Sequence, residues 1–210
     1  MRAVTDYVFA MYAAIGAILY AAIVPFWFYG GAFLRSKWGY TLGTADALML
    51  LVEGGMVVLS PPLGCLLNAY CKKTVPRLGF MMGASSAILM SIVLLAFMPP
   101  ALPAMLAMLL LSTSYAAANT VFWSLSADLI PPGISALGSG ILGSSLNLGS
   151  SVLPIVMANA SSEKAALMLL GVAAFLSVLI MLCLCIVLSL SKRRLLIQGG
   201  TVISPLTEDI

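Results

Sequence analysis

Long apolar stretches separated by short polar breaks dominate this sequence, and there are six of them. A helix needs about 20 mostly apolar residues to cross the hydrocarbon core of a bilayer, and each stretch reaches that length. Their approximate ranges are 7–30, 44–67, 77–98, 101–125, 134–158 and 165–190. The breaks contain proline, glycine or charged residues, which end helices and favour turns. The pattern predicts an all-α, polytopic membrane protein whose six transmembrane helices run antiparallel to their sequence neighbours.

Composition narrows the possible functions. The chain is 62% hydrophobic and 8% charged, and it has no histidine, whereas soluble domains average about one quarter charged residues. Without histidine there is no histidine-based zinc site and no Ser–His dyad, and no glycine-rich loop follows a strand as nucleotide sites require. The net charge of +3 is too small to indicate a nucleic-acid-binding protein. We therefore expect no enzyme, and no metal or organic cofactor.

The basic residues predict the orientation in the membrane. If the N-terminus is cytoplasmic, seven basic residues lie on the inner side and three on the outer side. The inner set is Arg2, Lys72, Lys73, Arg77, Lys192, Arg193 and Arg194, and the outer set is Arg35, Lys37 and Lys164. Because cytoplasmic loops carry the excess of lysine and arginine, both termini are expected in the cytoplasm. Residues 1–190 are thus predicted to form the transmembrane domain and residues 191–210 a cytoplasmic tail.

Glu53 is the most informative single residue, because it lies inside the second apolar stretch. A carboxylate at bilayer depth costs several kcal/mol unless it faces a polar cavity or a partner. Facing a cavity, it could hold a proton or bind the amino group of a peptide or amino acid. The alternative is a carboxyl that stays protonated through desolvation and forms a hydrogen bond with a neighbouring helix.

The fourth stretch carries a polar stripe. Tyr115, Asn119 and Trp123 recur every four residues and therefore share one helix face. A hydroxyl, an amide and an indole in an apolar helix suit a wetted cavity, although Trp123 lies near the inner end, where aromatic anchors also occur. Tyr20 and Trp27 in the first stretch are weaker candidates, since a proline between them bends the helix.

The fifth stretch is built largely from glycine, serine and leucine. Ser139 with Gly143, and Ser145 with Gly149, have the small-xxx-small spacing that lets helix backbones approach closely. We therefore expect the fifth helix to pack inside the bundle and the aliphatic sixth helix to face lipid. Asn147 supports this expectation and is a further candidate contact for a solute, because a buried amide needs polar partners or water.

Three groups of motifs carry a resemblance to a known family. They are Val24-Pro25-Phe26 with Lys37-Trp38-Gly39-Tyr40; Ser60-Pro61-Pro62-Leu63-Gly64 with Asn68, Cys71 and Lys72; and Trp123 to Pro131 with Gly140, Ser144 and Asn147-Leu148-Gly149. Together they resemble the C-terminal six-helix half of a major facilitator superfamily transporter. The family they are most similar to is that of the lysosomal dipeptide transporters, called major facilitator domain-containing protein 1 in animals.

The resemblance implies a cytoplasmic gate formed by Asn68, Lys72, Lys73, Arg77 and Asp128. In the family, an aspartate at the position of Asn68 caps a neighbouring helix and pairs with a base when the inner side is closed. Asn68 can still cap a helix, but it lacks the charge. Asp128 can pair with Lys72, Lys73 or Arg77 instead, or it can be a solvated charge at a helix end.

The resemblance also implies a function. Superfamily transporters usually have two six-helix halves with the solute held between them. We therefore expect alternating-access transport of a small polar organic solute, with a dipeptide or amino acid favoured, by uniport or proton coupling. The second half is expected to be another copy, a partner chain or a missing N-terminal segment, and the location lysosomal or another endomembrane. The alternative is a non-transporting six-helix interaction protein or a truncated transporter fragment.

The orientation predicted from the basic residues can be tested by topology mapping. Reporter domains fused after Ser191 and between Arg35 and Lys37 should report opposite sides of the membrane, with the Ser191 fusion in the cytoplasm. An external Ser191 fusion would contradict the predicted orientation and move the predicted gate to the other side.

Overall fold

The computed structural model describes residues 2–71, 73–100, 102–130, 132–159 and 162–197. Within these ranges there are six long helices: α1 (Arg2–Trp38), α2 (Leu42–Tyr70), α3 (Thr74–Phe97), α4 (Leu102–Leu129), α5 (Ser135–Ala158) and α6 (Glu163–Ile197). A short 3-10 turn, Pro132–Ile134, precedes α5. All six helices are long and apolar enough to cross a membrane. The prediction of an all-α integral membrane protein is confirmed, and α6 continues as helix beyond the predicted end of its span.

A glycine and a threonine shape the turn between α1 and α2. Gly39 has φ +68°, a left-handed conformation that glycine adopts without strain, and it ends α1. The Thr41 hydroxyl then caps α2 by accepting a hydrogen bond from the Thr44 N–H at 3.3 Å. Nearby, the Lys37 ammonium donates to the carbonyls of Leu95 and Ala96 in the last turn of α3, with 2.8 Å to Ala96. The ends of α1 and α3 therefore lie at the same end of the bundle, which we call the Trp38 end.

The helices pack in a two-fold pattern. α4 packs against α2 and α3, and α1 packs against α5 and α6. α3 and α6 also pack against each other, so they form one side of the bundle. Exchanging the first three helices with the last three preserves these contacts, although the corresponding helices run in opposite directions. This is the arrangement of inverted three-helix repeats found within the halves of some transporters. The contact between α1 and α2 is an exception to the pattern, because α4 and α5 do not pack in the same way.

The expectation for the fifth and sixth helices is wrong. Only 17% of the α5 span is buried, compared with 33% of the α6 span. Of the small residues singled out, Gly149 lies directly against the Ala17 carbonyl of α1, whereas nothing lies within 4 Å of the position of a Cβ on Gly143. Small residues lie on several faces of α5, but only those on the face toward α1 allow a close approach of two helix backbones. Asn147 is exposed rather than buried.

Gly149→Ala should weaken the contact between α1 and α5, because the added methyl group would overlap the Ala17 carbonyl. We expect a loss of about 1–3 kcal/mol in the free energy of unfolding, measured by denaturant titration in mild detergent. The matched control is Gly140→Ala on the same helix, where no atom lies within 4 Å. The control should be neutral or slightly stabilising, since alanine favours helix over glycine by about 0.5–1 kcal/mol. Equal effects at both positions would contradict the close approach.

Candidate functional site

Large aromatic side chains join α1 to α4 in the middle of the bundle. The Tyr12 and Phe122 rings are stacked with their centroids 4.7 Å apart. Both side chains are fully buried, and the Tyr12 hydroxyl donates to the Phe122 carbonyl. The tyrosine thus satisfies its polar atom inside the bundle, as a buried hydroxyl requires. This contact positions the α4 face that continues toward the Trp38 end.

Further along the same two helices lies a group of four side chains, which we call the central cluster: Tyr20 and Trp27 of α1, and Tyr115 and Asn119 of α4. The Tyr20 hydroxyl donates to the Asn119 carbonyl oxygen at 2.7 Å. Tyr115 makes T-shaped contacts with two rings, with centroids 5.9 Å from Tyr20 and 5.4 Å from Trp27. The two α4 candidates therefore meet the two weaker α1 candidates. The proline between Tyr20 and Trp27 does not separate them, because seven residues are about two helical turns.

Trp27 has an unusual feature. Its indole N–H is buried and has no hydrogen-bond partner within the part of the chain that the structure describes. More than nine tenths of buried polar groups are paired, so such a donor is available to a ligand or a water molecule. Trp27 also lines a cleft between α1 and α2.

The cleft has a volume of about 400 Å³ and contains three charged side chains, Arg35, Asp46 and Glu53. All three are exposed, and they lie on two helices whose remaining cleft residues are aromatic, aliphatic or glycine. Gly31 forms part of the wall, where a Cβ would lie 3.7 Å from a carboxylate oxygen of Asp46. One guanidinium and two carboxylates therefore surround one opening near the Trp38 end.

Glu53 lines this cleft. This position explains how an otherwise apolar helix can carry a carboxylate, because the side chain faces a polar opening. Among the described residues, no hydrogen bond or ion pair involves its side chain, so the alternative of a bond to a neighbouring helix has no support. The backbone beside it is held instead, because the Ser112 hydroxyl of α4 donates to the Val52 carbonyl at 2.8 Å. Gly55 packs directly against the same serine, so α2 and α4 approach closely just beyond Glu53.

Sequence reasoning missed Arg35 and Asp46 as site residues, because both lie near span ends and look like solvated charges. Their helical spacing contains the missing signal. Trp27, Gly31 and Arg35 recur every four residues on α1, while Asp46 and Glu53 are seven residues apart on α2. Both spacings place side chains on one helix face.

At the opposite end of the bundle, Arg77 at the start of α3 forms an ion pair with Asp128 at the end of α4, at 2.7 Å. Arg77 also donates to the Cys71 carbonyl at 2.8 Å. Arg77 is one of the three partners considered for Asp128. An exposed pair of this kind contributes about 0–1 kcal/mol to stability.

The other predicted gate residues form no ion pair within the described part of the chain. Asn68 is exposed and does not cap α3, whose N-cap residue is Lys73 without a side-chain capping bond. Lys73 is exposed, and Lys72 lies outside the described residues. The gate as a whole remains a prediction.

Two predicted binding residues lie away from the central cluster. Trp123 is 40% exposed and packs edge-on against Phe122, with ring centroids 5.5 Å apart. Asn147 is exposed on α5, and its carbonyl accepts a hydrogen bond from Ser150 in the same helix. Their role in binding stays a prediction. In the described ranges, no three histidine, cysteine or acidic residues come together as metal ligands would.

Comparison with known proteins adds one finding. The chain matches no protein-family signature, and it matches no curated protein. It does resemble the crystal structure of a peptide transporter, POT, solved as a mutant in complex with alafosfalin, with a TM-score of 0.60 and 21% sequence identity. The similarity covers 85% of this chain and 37% of that chain. This chain is one half of a major facilitator fold.

The hydrogen bond in the central cluster should couple Tyr20 to Asn119 energetically. In a double-mutant cycle of Tyr20→Phe and Asn119→Ala, we expect a coupling energy of about 0.6 kcal/mol, the average for hydrogen bonds between membrane helices. Unfolding free energies in detergent would measure it. The control is Tyr7→Phe, which removes a hydroxyl from an exposed tyrosine of the same helix and should show no coupling to Asn119. Additive effects of Tyr20→Phe and Asn119→Ala would contradict the contact.

Proposed function

We propose that this chain is half of a secondary transporter for a small zwitterionic solute, with dipeptides or amino acids as the favoured substrates. The observation that carries the proposal is the charge arrangement in the cleft, where Arg35 lies with Asp46 and Glu53 around one opening. Its volume of about 400 Å³ is within the range of small-ligand pockets. The resemblance to lysosomal dipeptide transporters makes dipeptides the first solutes to test and an endomembrane the first location.

Each charged group has a complementary group on such a solute. The Arg35 guanidinium can bind the solute carboxylate through two parallel hydrogen bonds. Asp46 or Glu53 can accept hydrogen bonds from the solute ammonium group. Trp27, whose indole N–H has no partner among the described residues, forms part of the cleft wall. Asn119 and Tyr115 support this wall from α4, since Tyr115 packs on Trp27.

Glu53 is also the group best placed to couple transport to protons. Its carboxylate lies inside a membrane span, where protonation removes the cost of an uncompensated charge. A proton and the ammonium group of the solute would compete for the same oxygen atoms. Transport can therefore be coupled to proton movement without a further ionisable group.

A complete transporter needs a second half. Only 11% of the α2 span and 17% of the α5 span are buried, and these helices carry Glu53 and Asn147. Polar side chains exposed to lipid are costly, so another protein surface should cover them. We propose that the active form has twelve helices, with the second half supplied by another copy, a partner chain or a preceding segment of the same protein. The Arg77–Asp128 pair would then act at one gate of an alternating-access cycle.

The proposal can be tested by uptake of labelled dipeptides into proteoliposomes, with the oligomeric state measured by cross-linking in the same preparation. Glu53→Gln should reduce uptake about tenfold or more, because a charge-assisted hydrogen bond contributes about 1.5–3 kcal/mol. Glu53→Asp should retain part of the uptake. The matched control is Thr113→Ala on the exposed face of α4, where the hydroxyl bonds only within its own helix, and it should leave uptake unchanged.

Blocked dipeptides would separate the roles of the charges. The wild-type protein should reject both N-acetylated and C-amidated dipeptides. Glu53→Gln should lose the discrimination against N-acetylation, and Arg35→Gln the discrimination against C-amidation. Uptake that is insensitive to all these changes would contradict the site. A monodisperse six-helix monomer without uptake would instead favour a non-transporting interaction protein.

A further inference from the structure

A second opening lies between α3 and α6, and we call it the α3–α6 groove. Its volume is about 380 Å³, and every residue that lines it is apolar. Several lining side chains are exposed, among them Phe97 from α3 and Met168, Val172 and Phe175 from α6. A wholly apolar surface groove gives no binding energy to a polar solute, but it fits a hydrocarbon chain.

The position of the groove makes lipid its natural surroundings. It lies between α3 and α6, whereas the charged cleft lies between α1 and α2. The helices left least buried are α2 and α5. A second half that covers α2 and α5 would therefore leave the α3–α6 groove facing the bilayer.

The length of the groove matches one leaflet. Its lining extends over residues 89–97 of α3 and 167–175 of α6. At 1.5 Å per residue, this is about 12 Å along the helix axes. The hydrocarbon core is about 30 Å thick, so one leaflet measures about 15 Å. The groove can therefore hold most of one acyl chain in the leaflet at the Trp38 end, where α3 ends and α6 begins.

A positive charge lies at the end of the groove. The Lys37 ammonium donates to the Ala96 carbonyl at 2.8 Å, and Ala96 is one of the lining residues. The ammonium also lies 5.4 Å from the Phe33 ring centroid and 5.2 Å from that of Trp38. These contacts hold a cation where α3 ends, at the depth expected for a lipid headgroup.

We propose that the α3–α6 groove binds an acyl chain of an anionic phospholipid whose headgroup phosphate lies beside Lys37. The apolar lining selects the chain, and the lysine favours the anionic headgroup over a zwitterionic one. Packing in the groove supplies the chain selectivity, because lipid tails gain no hydrophobic energy on moving from bilayer to protein.

Gly171 provides a specific way to close the groove. A Cβ at this position would lie 3.8 Å from Leu89 Cδ1 and 3.9 Å from Ile92 Cγ2, which are ordinary van der Waals distances. Gly171→Leu can therefore fill the groove without a clash at its Cβ. The matched control is Gly83→Leu on α3, which adds the same side chain where nothing lies within 4 Å.

The experiment is native mass spectrometry of the delipidated protein, titrated with dioleoyl phosphatidylglycerol or dioleoyl phosphatidylcholine. The wild-type protein should bind one phosphatidylglycerol molecule in preference to phosphatidylcholine. Gly171→Leu should weaken this binding about tenfold, whereas Gly83→Leu should bind like the wild type. Lys37→Gln should reduce the preference for phosphatidylglycerol about fivefold, the effect of one basic residue near a membrane surface. Arg35→Gln, which removes a charge from the cleft instead, should retain the preference.

Circular dichroism would first show that each variant is folded. If Gly171→Leu does not fold, Met168→Trp fills the groove from an exposed position and should have the same effect on binding. Unchanged phosphatidylglycerol binding by either folded variant would overturn the proposal. Equal binding of the two lipids by the wild-type protein would also overturn it, as would equal binding of a six-carbon-chain phosphatidylglycerol, since binding would then not involve the chain.

Discussion

The packing of α1 against α4 through large aromatic side chains is the contact on which the rest of the bundle depends. The backbones of the two helices come close at few positions, so Tyr12, Tyr20 and Trp27 extend across the space between them. α2 and α3 then pack on α4, while α5 and α6 pack on α1. The central cluster thus joins these two groups of helices, together with the contact between α3 and α6, and its Trp27 lines the charged cleft. A change in the central cluster would therefore affect both stability and the shape of the cleft.

The membrane limits which polar groups can serve a function. Many serines and threonines in the described spans donate to a carbonyl of their own helix, as Ser60 does to Met56 and Thr120 does to Ala116. Such bonds satisfy the hydroxyl locally and leave nothing for a ligand. The cleft differs, because Arg35, Asp46, Glu53 and the indole of Trp27 are not satisfied in this way. A solute with groups of both charges would complement this set.

The two proposed sites lie between different pairs of helices and have different surroundings. The charged cleft lies between α1 and α2, where a second half would bring its own surface. The α3–α6 groove lies between helices that pack against each other, and its apolar lining is compatible with permanent exposure to lipid. Lys37 links the two regions, because it extends from α1 to the last turn of α3. A lipid bound there would contact the helix that also carries Trp27 and Arg35.

The sequence alone determined the six helices and their approximate bounds, because each apolar run must satisfy its backbone hydrogen bonds internally in order to cross a bilayer. It also identified Glu53 and the residues of the central cluster, since polar groups are rare in such runs. It could not determine which side each helix presents, because lipid tails are as apolar as a protein core and apolar residues carry no information about facing. For that reason α5 was expected inside, Arg35 and Asp46 were missed, and Asp128 had three possible partners. Only the packing of α1 with α5, of α1 with α2 and of α3 with α4 decided those questions, because it determines which surfaces meet.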